Sequence, residues 1–331
     1  MKAERTDSPT VSRRTFAALG AGAITTALAG CFGDDPQSDE TNGVDGNGDV
    51  SVTVAASMPA VWDFVRQVGG DHVEAIDLVP TGEHGHDYDP GPSIVQDIED
   101  SDAFVYLRDF SSWQDSAADE LEGGDEVLVI EASEGIEFFD SPAEDNDEHF
   151  WMDPIECKAG VDNVADGLAE IDSDHAEDYE ANAAAFNEEL DALDEEFEEI
   201  VERAELNELV VGTHDSFQWW NRRYGIDIYS PVGTSPDDSA SPGDVEEVEG
   251  LIEEFGIEHV TYDVGEPAEL AESLAAETGT EILPLSPIET QIDGSPDVDP
   301  DVQMEADWSY VDHFRELNFP TLETALRAEG N

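Results

Sequence analysis

The stretch DHAEDYEANAAAFNEELDALDEEFEEIVERA, residues 174–204, decides the fold of this chain. It contains neither proline nor glycine, and its large apolar side chains recur every three or four residues, which is the spacing of one helix face. These side chains are Phe186, Leu190, Leu193, Phe197 and Ile200. The pattern predicts a single rod-like helix of about 46 Å at 1.5 Å per residue. Ser173 or Asp174 is expected to cap its start.

Short β-branched runs alternate with helical patterns on both sides of this helix. Strands are predicted before it at 51–56, 73–79, 103–107 and 126–130, and after it at 209–213, 227–230, 258–263 and 281–285. Strands that alternate with helices favour a parallel sheet covered by helices. We therefore expect an α/β fold of two lobes, each a mainly parallel four-stranded sheet with flanking helices, joined by one long backbone helix. Such a helix permits only small tilts between the lobes.

The N-terminus has the pattern of an export signal. Arg13 and Arg14 form a twin-arginine pair, and an uncharged apolar run over 17–29 follows it. The run ends in Leu28-Ala29-Gly30-Cys31, which resembles a lipobox with Cys31 as the lipidated residue. This predicts export by the twin-arginine route and a protein anchored by lipid on the outer face of the cell membrane.

These patterns divide the chain into five segments. They are the signal at 1–31, a flexible acidic tether at 32–50, an N-terminal lobe at 51–155, a linking segment with the long helix at 156–206, and a C-terminal lobe at 207–331.

The charge excludes whole classes of partner. The chain carries 83 acidic residues against 12 basic ones, a formal charge of −71, yet it is 39% hydrophobic and can bury a core. Nucleic acids and anionic membrane surfaces attract basic faces, so neither is an expected partner, and the membrane is contacted through the lipid anchor only. The acidic residues are spread over both lobes, which resembles proteins of extreme halophiles and predicts a fold that needs molar salt.

Three of the eight histidines follow predicted strands. His86 lies in a turn-rich loop after the second strand, His149 in the long loop after the fourth, and His214 at the end of the fifth. Loops at the carboxyl ends of parallel strands form a ligand crevice. Neutral imidazoles from separate loops suit zinc and neighbouring transition metals, so we expect these three side chains to bind one metal ion.

The sequence gives weaker indications for the other residues near this site. Nearby carboxylates such as Asp87, Asp153 and Asp215 are expected to orient the imidazoles. His84 is either a relay that passes metal inward or an ordinary hydrogen-bonding histidine. The acidic loop at 141–148 is expected to be a solvated surface loop, with weak attraction of cations beside the site as the less favoured alternative.

Seven short segments together resemble a known family. They are HDYDPGPS (86–93), HFWMDP (149–154), THDSF (213–217), RYGI (223–226), SPGD (241–244), ETG (277–279) and WSYV (308–311). In this order the chain resembles, from about Ser51 to Ala328, the metal-binding solute-binding lipoproteins of zinc and manganese ABC importers, the class with a single backbone helix. The resemblance implies a metal site between two lobes, with His86, His149 and His214 as its ligands.

The chain departs from this family at the fourth ligand. Where the family commonly has an aspartate after the last strand, this chain has Ser286, and a neutral serine is a poor zinc ligand. The fourth ligand is then Glu289, Asp263, Glu83 or water. Three imidazoles with at most one carboxylate favour Zn²⁺ over Mn²⁺, which prefers more oxygen ligands. Mn²⁺ and Fe²⁺ remain alternatives.

We therefore expect a monomeric extracytoplasmic receptor that captures Zn²⁺ between its lobes and delivers it to a membrane permease. The sequence has no Gly-x-x-x-x-Gly-Lys-Ser/Thr loop, so ATP hydrolysis is assigned to a separate subunit. A zinc hydrolase is a less favoured alternative, because the chain lacks a His-Glu-x-x-His helix and a Gly-x-Ser-x-Gly turn. The chain is accordingly not expected to be an enzyme. An adhesin stabilised by metal is a further alternative.

Overall fold

The computed structural model describes residues 50, 52–86, 88–121, 124, 126–142, 145–234, 239–296 and 302–328. The chain separates into a unit at Met1–Gly46 and a unit at Asn47–Asn331, and the description below concerns the second. The twin-arginine pair, Cys31 and the tether up to residue 49 lie outside the described residues, so their assignments stay predictions. Within the described ranges, the helices are too short or too polar to cross a membrane.

A four-stranded parallel sheet forms the centre of the N-terminal lobe. Its strands are β1 (Val52–Ala56), β2 (Val73–Asp77), β3 (Ala103–Tyr106) and β4 (Leu128–Glu131), in the order β2-β1-β3-β4. The helices between them are α1 (Pro59–Gly69), α2 (Pro92–Glu99) and α3 (Ser112–Leu121). Parallel strands need such crossover helices, which cover the sheet and leave the strand ends free for loops.

The C-terminal lobe repeats this architecture with a looser sheet. Its strands are β5 (Glu208–Val210), β6 (Asp227–Tyr229), β7 (His259–Asp263) and β8 (Glu281–Leu285), and its helices are α6 (Gln218–Tyr224), α7 (Pro242–Phe255) and α8 (Glu269–Thr278). The pairs β5–β6 and β7–β8 are both parallel, and a single parallel bridge between Val211 and Thr261 joins them. The prediction of a two-lobed α/β fold with parallel strands is therefore confirmed, although the four strands of the C-terminal lobe form two pairs and not one continuous sheet.

The long helix lies where the sequence predicts it. Helix α5 spans Ala176–Arg203, 28 residues, or about 42 Å at 1.5 Å per residue. The predicted cap at Ser173 or Asp174 is wrong, because the N-cap position is His175 and it makes no side-chain cap hydrogen bond. Asp172 closes the preceding turn instead: its carbonyl accepts from the His175 amide at 3.2 Å, and its carboxylate contacts the His175 ring at 2.8 Å.

A second helix of the linking segment was not predicted. Helix α4 (Pro154–Ile171) begins at Asp153, whose carboxylate accepts hydrogen bonds from the first turn, and it packs along α5 and against α1. Gly167 allows α4 to approach β4, because a Cβ at this position would lie 2.4 Å from Cδ1 of Ile130.

The C-terminal segment is helical with an irregular middle. It runs through α9 (Tyr310–Asp312), a π-helical stretch at His313–Asn318 and α10 (Phe319–Ala325).

Three aromatic residues of the α6 region are fully buried, namely Phe217, Trp219 and Trp220. The sequence predicts that they pack in the core of the C-terminal lobe. The structure adds contacts with the other lobe: the indole of Trp219 donates to the Asp147 carbonyl at 3.3 Å, and that of Trp220 to the Met152 carbonyl at 2.8 Å. These bonds help to fix the lobes in one arrangement.

Gly212 offers a direct test of the C-terminal lobe. A Cβ at Gly212 would lie 2.6 Å from the backbone Cα of Ala271 in α8, which cannot rotate away. We expect Gly212→Ala to lower the free energy of unfolding by about 1–3 kcal/mol. Gly250→Ala is the matched control, since Gly250 is exposed in α7 with nothing within 4 Å, and it should be neutral or stabilising by up to about 1 kcal/mol. Equal stabilities of the two variants in chemical denaturation would contradict this packing.

Candidate metal centre

The three histidines singled out in the sequence lie together. The ring centroids of His86 and His149 are 5.5 Å apart, those of His86 and His214 are 5.9 Å apart, and those of His149 and His214 are 6.1 Å apart. His86 follows β2, His149 lies between β4 and a 3₁₀ turn at Phe150–Met152, and His214 follows β5. His149 and His214 are fully buried, and the side chain of His86 is 10% exposed. Two lobes thus contribute imidazoles to one point.

Glu289 lies against two of these histidines, His149 and His214. Its Oε1 atom lies 3.6 Å from Nε2 of His149 and 3.5 Å from Nε2 of His214. Among the described residues no group is in hydrogen-bonding geometry with either oxygen of Glu289, although the side chain is fully buried. The Ser216 hydroxyl also contacts Nε2 of His214. Of the candidates for a fourth ligand, Glu83 is exposed, and Asp263 contacts His84.

A strained turn after β8 brings Glu289 to this position. Ile288 has a φ of 62°, a left-handed conformation that is rare for a β-branched residue and costs about 1–3 kcal/mol. Two hydrogen bonds hold the turn: the Trp151 indole donates to the Pro287 carbonyl at 2.7 Å, and the Gly85 amide donates to the Glu289 carbonyl at 3.0 Å. The second bond ties the loop of His86 to the loop of Glu289.

Ser286 has a different structural role. Its hydroxyl lies 2.9 Å from Nδ1 of His313, and its amide donates to the Asn318 side chain at 2.8 Å. These contacts attach the end of β8 to the π-helical stretch. Burial lowers the pKa of His313 to about 4, so this histidine is a neutral core residue.

Two carboxylates orient the buried imidazoles. Oδ1 of Asp147 lies 3.0 Å from Nδ1 of His149, and Glu266 forms a short hydrogen bond with Nδ1 of His214. Because each Nδ1 faces a carboxylate, each Nε2 is directed towards Glu289, which is the arrangement of a metal-binding histidine and its carboxylate partner.

The prediction that Asp153 and Asp215 orient the imidazoles is wrong. Asp153 caps α4 and pairs with Arg223, and Asp215 accepts a hydrogen bond from the Gln218 amide at 2.6 Å. Both lie just before a helix, where a short carboxylate accepts hydrogen bonds from donors near the start of the helix. Asp87 lies outside the described residues.

The prediction that the acidic loop at 141–148 is solvated is wrong for the end of the loop. At its end Asp147 and Glu148 are 0% and 5% exposed, and Oε1 of Glu148 lies 3.7 Å from Nε2 of His86. Their position directly before His149 in the sequence was the signal that could have identified them.

Burial and charge act against each other in the pKa values of the site. Burial lowers the pKa of His86 to about 3. Burial also acts to lower the pKa of His149, but the hydrogen bond to Asp147 and the charge of Glu148 outweigh it and raise this pKa to about 9. For Glu289, burial alone would raise the pKa, yet the neighbouring imidazoles hold it well below the usual range. Glu289 is therefore an anion among nitrogen donors.

A fourth imidazole, that of His84, borders the cluster. Its Nε2 atom lies 2.9 Å from Oδ2 of Asp263 and 3.6 Å from Oε2 of Glu289, and its ring centroid is 5.2 Å from that of His214. His84 is 8% exposed.

The sequence matches a family of transport proteins and several of its characterised members. The family described as "ZnuA: Zinc-uptake complex component A periplasmic" matches residues 54–323. The high-affinity zinc uptake system protein ZnuA of Bacillus subtilis is 25% identical over 255 residues, which is 72% of this chain and 79% of that protein. The zinc-binding lipoprotein AdcA of Streptococcus pneumoniae is 27% identical over 256 residues, 73% of this chain. The chain spans about half of AdcA, 51%.

Solved structures share the fold. Zn(II)-bound AdcA from Streptococcus pneumoniae superposes with a TM-score of 0.69 at 25% identity, covering 85% of this chain and 59% of that one. The laminin-binding protein Lmb of Streptococcus agalactiae, described as having adhesin and metal-transporting activity, gives a TM-score of 0.71 at 24% identity and covers 83% of this chain and 100% of that one.

Proposed function

This chain belongs to the ZnuA family of zinc-uptake components, and we propose that it captures Zn²⁺ outside the cytoplasm and delivers it to the permease of an ABC importer. The observation that supports this most strongly is the buried, unbonded carboxylate of Glu289, which lies 3.5–3.6 Å from Nε2 of His149 and of His214, with the His86 ring 5.5–5.9 Å from their rings. His86, His149, His214 and Glu289 are the proposed zinc ligands, and we call them the inner site.

The spacing of the donor atoms suits zinc. Two atoms that are each about 2.0–2.1 Å from a tetrahedral ion lie about 3.4 Å from one another. Glu289 Oε1 is 3.6 Å from His149 Nε2 and 3.5 Å from His214 Nε2, so small movements bring them to this distance. Three nitrogen donors and one oxygen donor favour Zn²⁺ over Mn²⁺.

Titration of the purified apo-protein with Zn²⁺ tests the function. We expect one equivalent to bind with a dissociation constant in the nanomolar range, because the donors are buried and already gathered. If the tightest binding is micromolar or clearly substoichiometric, the receptor function is wrong.

The inner site joins the lobes. His86 and His149 come from the N-terminal lobe, while His214 and Glu289 come from the C-terminal lobe. A bound ion therefore links the lobes directly, and release requires that at least one ligand withdraws. We propose that the docked permease causes this withdrawal.

The closure on zinc binding should be small. Helix α5 and the buried bonds of Trp219 and Trp220 restrain the lobes, so we expect crystal structures with and without zinc to differ by a rotation of only a few degrees. A hinge rotation of tens of degrees between them would show that these contacts do not restrain the lobes.

The remaining assignments extend the same proposal. The family implies a membrane permease and an ATPase as partners, and a place outside the cytoplasm. We propose in addition that Cys31 is lipidated, that the twin-arginine signal directs export, that residues 32–50 are the tether and that the receptor is a monomer. The expectation that the chain is not an enzyme stays a prediction.

A further inference from the structure

A second group of side chains of the types that ligate metals lies beside the inner site. It consists of His84, Asp263 and Glu266, which we call the outer cluster. His84 Nε2 and Asp263 Oδ2 are 2.9 Å apart, and donor atoms of all three residues and of His214 lie within 4.8 Å of one another. The side chains of His84 and Asp263 are 6% and 1% exposed, and that of Glu266 is 13% exposed. One nitrogen donor and two carboxylates thus meet in a nearly buried position.

Glu289 stands between the two groups. Its Oε1 atom faces His149 and His214 in the inner site, while its Oε2 atom lies 3.6 Å from Nε2 of His84. Oε2 is buried and has no hydrogen bond from the described residues. A cation held by the outer cluster would give this oxygen a partner.

A second buried atom without a partner lies close to His84. The hydroxyl of Thr290 makes no hydrogen bond within the described residues, although Thr290 is only 3% exposed. A Cβ on Gly265 would lie 2.4 Å from this hydroxyl oxygen and 3.1 Å from Cδ2 of His84. The absence of a side chain at Gly265 therefore leaves room for the Thr290 hydroxyl and the His84 ring beside the same backbone position.

Charge balance also favours a second cation. Asp263 and Glu266 bring two carboxylates into the outer cluster beside a single imidazole of its own, that of His84. Buried carboxylates are costly unless they are paired or coordinate a metal. Asp147 and Glu148 add further negative charge on the other side of the inner site.

The outer cluster can be reached from the surface. A cavity of about 210 Å³ is lined by Gly82, Tyr262, Gly265, Glu266 and Thr290, among others. Glu266, a member of the outer cluster, lines this cavity directly, and so does Gly265, which packs next to the His84 ring.

We propose that His84, Asp263 and Glu266 form a second divalent-cation site, with Oε2 of Glu289 shared between it and the inner site. The cation takes the place of the hydrogen bond between Nε2 of His84 and Oδ2 of Asp263. Because oxygen donors outnumber nitrogen donors, the site accepts Mn²⁺ as well as Zn²⁺, and because it is partly exposed it binds more weakly than the inner site. The proposal rests on the proposed function only in that Glu289 is shared.

Native mass spectrometry and calorimetric titration of the full folded domain with Zn²⁺ and with Mn²⁺ test this site. The wild type should bind two equivalents of Zn²⁺, the second at least tenfold more weakly than the first. His84→Ala should lose the weak equivalent and keep the tight one within about threefold. Asp263→Asn, an isosteric change that leaves every inner-site side chain in place, should do the same. His259→Ala is the control, since His259 lies at the start of β7 and contacts Glu281 instead, and it should bind as the wild type does.

Two results would overturn the second site. One is a wild type that binds a single equivalent even at millimolar Zn²⁺, which leaves the proposed function intact. The other is a second equivalent that persists in both His84→Ala and Asp263→Asn. A wild type that binds no Zn²⁺ tightly would instead argue against the receptor function. Circular dichroism of each variant establishes that it is folded before its stoichiometry is compared.

Discussion

His149→Ala should weaken zinc binding by at least about 100-fold, the largest effect expected of any single substitution in this protein. Changing only a group that orients a metal ligand typically costs 10–100-fold in affinity, and removal of the ligand itself should cost more. His149 is fully buried with its Nε2 facing Glu289, so water does not easily replace it in the same geometry. Competition with a chromophoric chelator measures the affinity.

The control for this prediction is a histidine away from the site. His72 stacks on His175 at a centroid distance of 3.9 Å, at the start of the backbone helix, and His72→Ala should leave zinc affinity unchanged. If His149→Ala retains nanomolar affinity while remaining folded, the inner site is not where zinc binds.

Transfer from molar KCl to dilute buffer should unfold or expand the protein, and return to molar salt should restore it. Without residues 1–30, which hold four basic and two acidic residues, the chain has 8 basic and 81 acidic residues. Ion pairs such as that between Arg315 and Glu196, 2.7 Å apart, can neutralise only a few of these carboxylates. At about 1 M salt the Debye length is about 3 Å, so most of the repulsion is screened.

Circular dichroism and intrinsic tryptophan fluorescence across a salt series measure this effect. Screening predicts that NaCl and KCl act alike, and that the effect persists in the presence of a chelator, which excludes stabilisation by trace metal. A protein that is equally stable in 20 mM and 2 M salt would refute the halophilic interpretation of its charge.

The fold was largely predictable because its signals are local. The period of apolar residues in α5 and the β-branched run that begins β1 each identify an element without knowledge of the rest of the chain. Helix α4 escaped detection because Gly160 and Gly167 interrupt its pattern. Both glycines are used for close packing, against Ala132 and Ile130, which only the tertiary structure shows.

The candidate site was predictable only in part. His86, His149 and His214 could be selected because each follows a strand of a parallel sheet, and such strand ends meet at one edge. Glu289 could not be separated from the alternatives, since its direction depends on the left-handed turn at Ile288. The contact of Glu266 with His214 joins two loops that are distant in sequence, and no local pattern specifies such a pair.

Anomalous diffraction at the zinc edge, on crystals of the protein loaded with one equivalent of Zn²⁺, tests the central proposal most directly. The strongest peak should lie between His86, His149 and His214, with an oxygen of Glu289 about 2.0–2.2 Å from the ion. A strongest peak elsewhere, or an ion at this position that Glu289 does not contact, would contradict it.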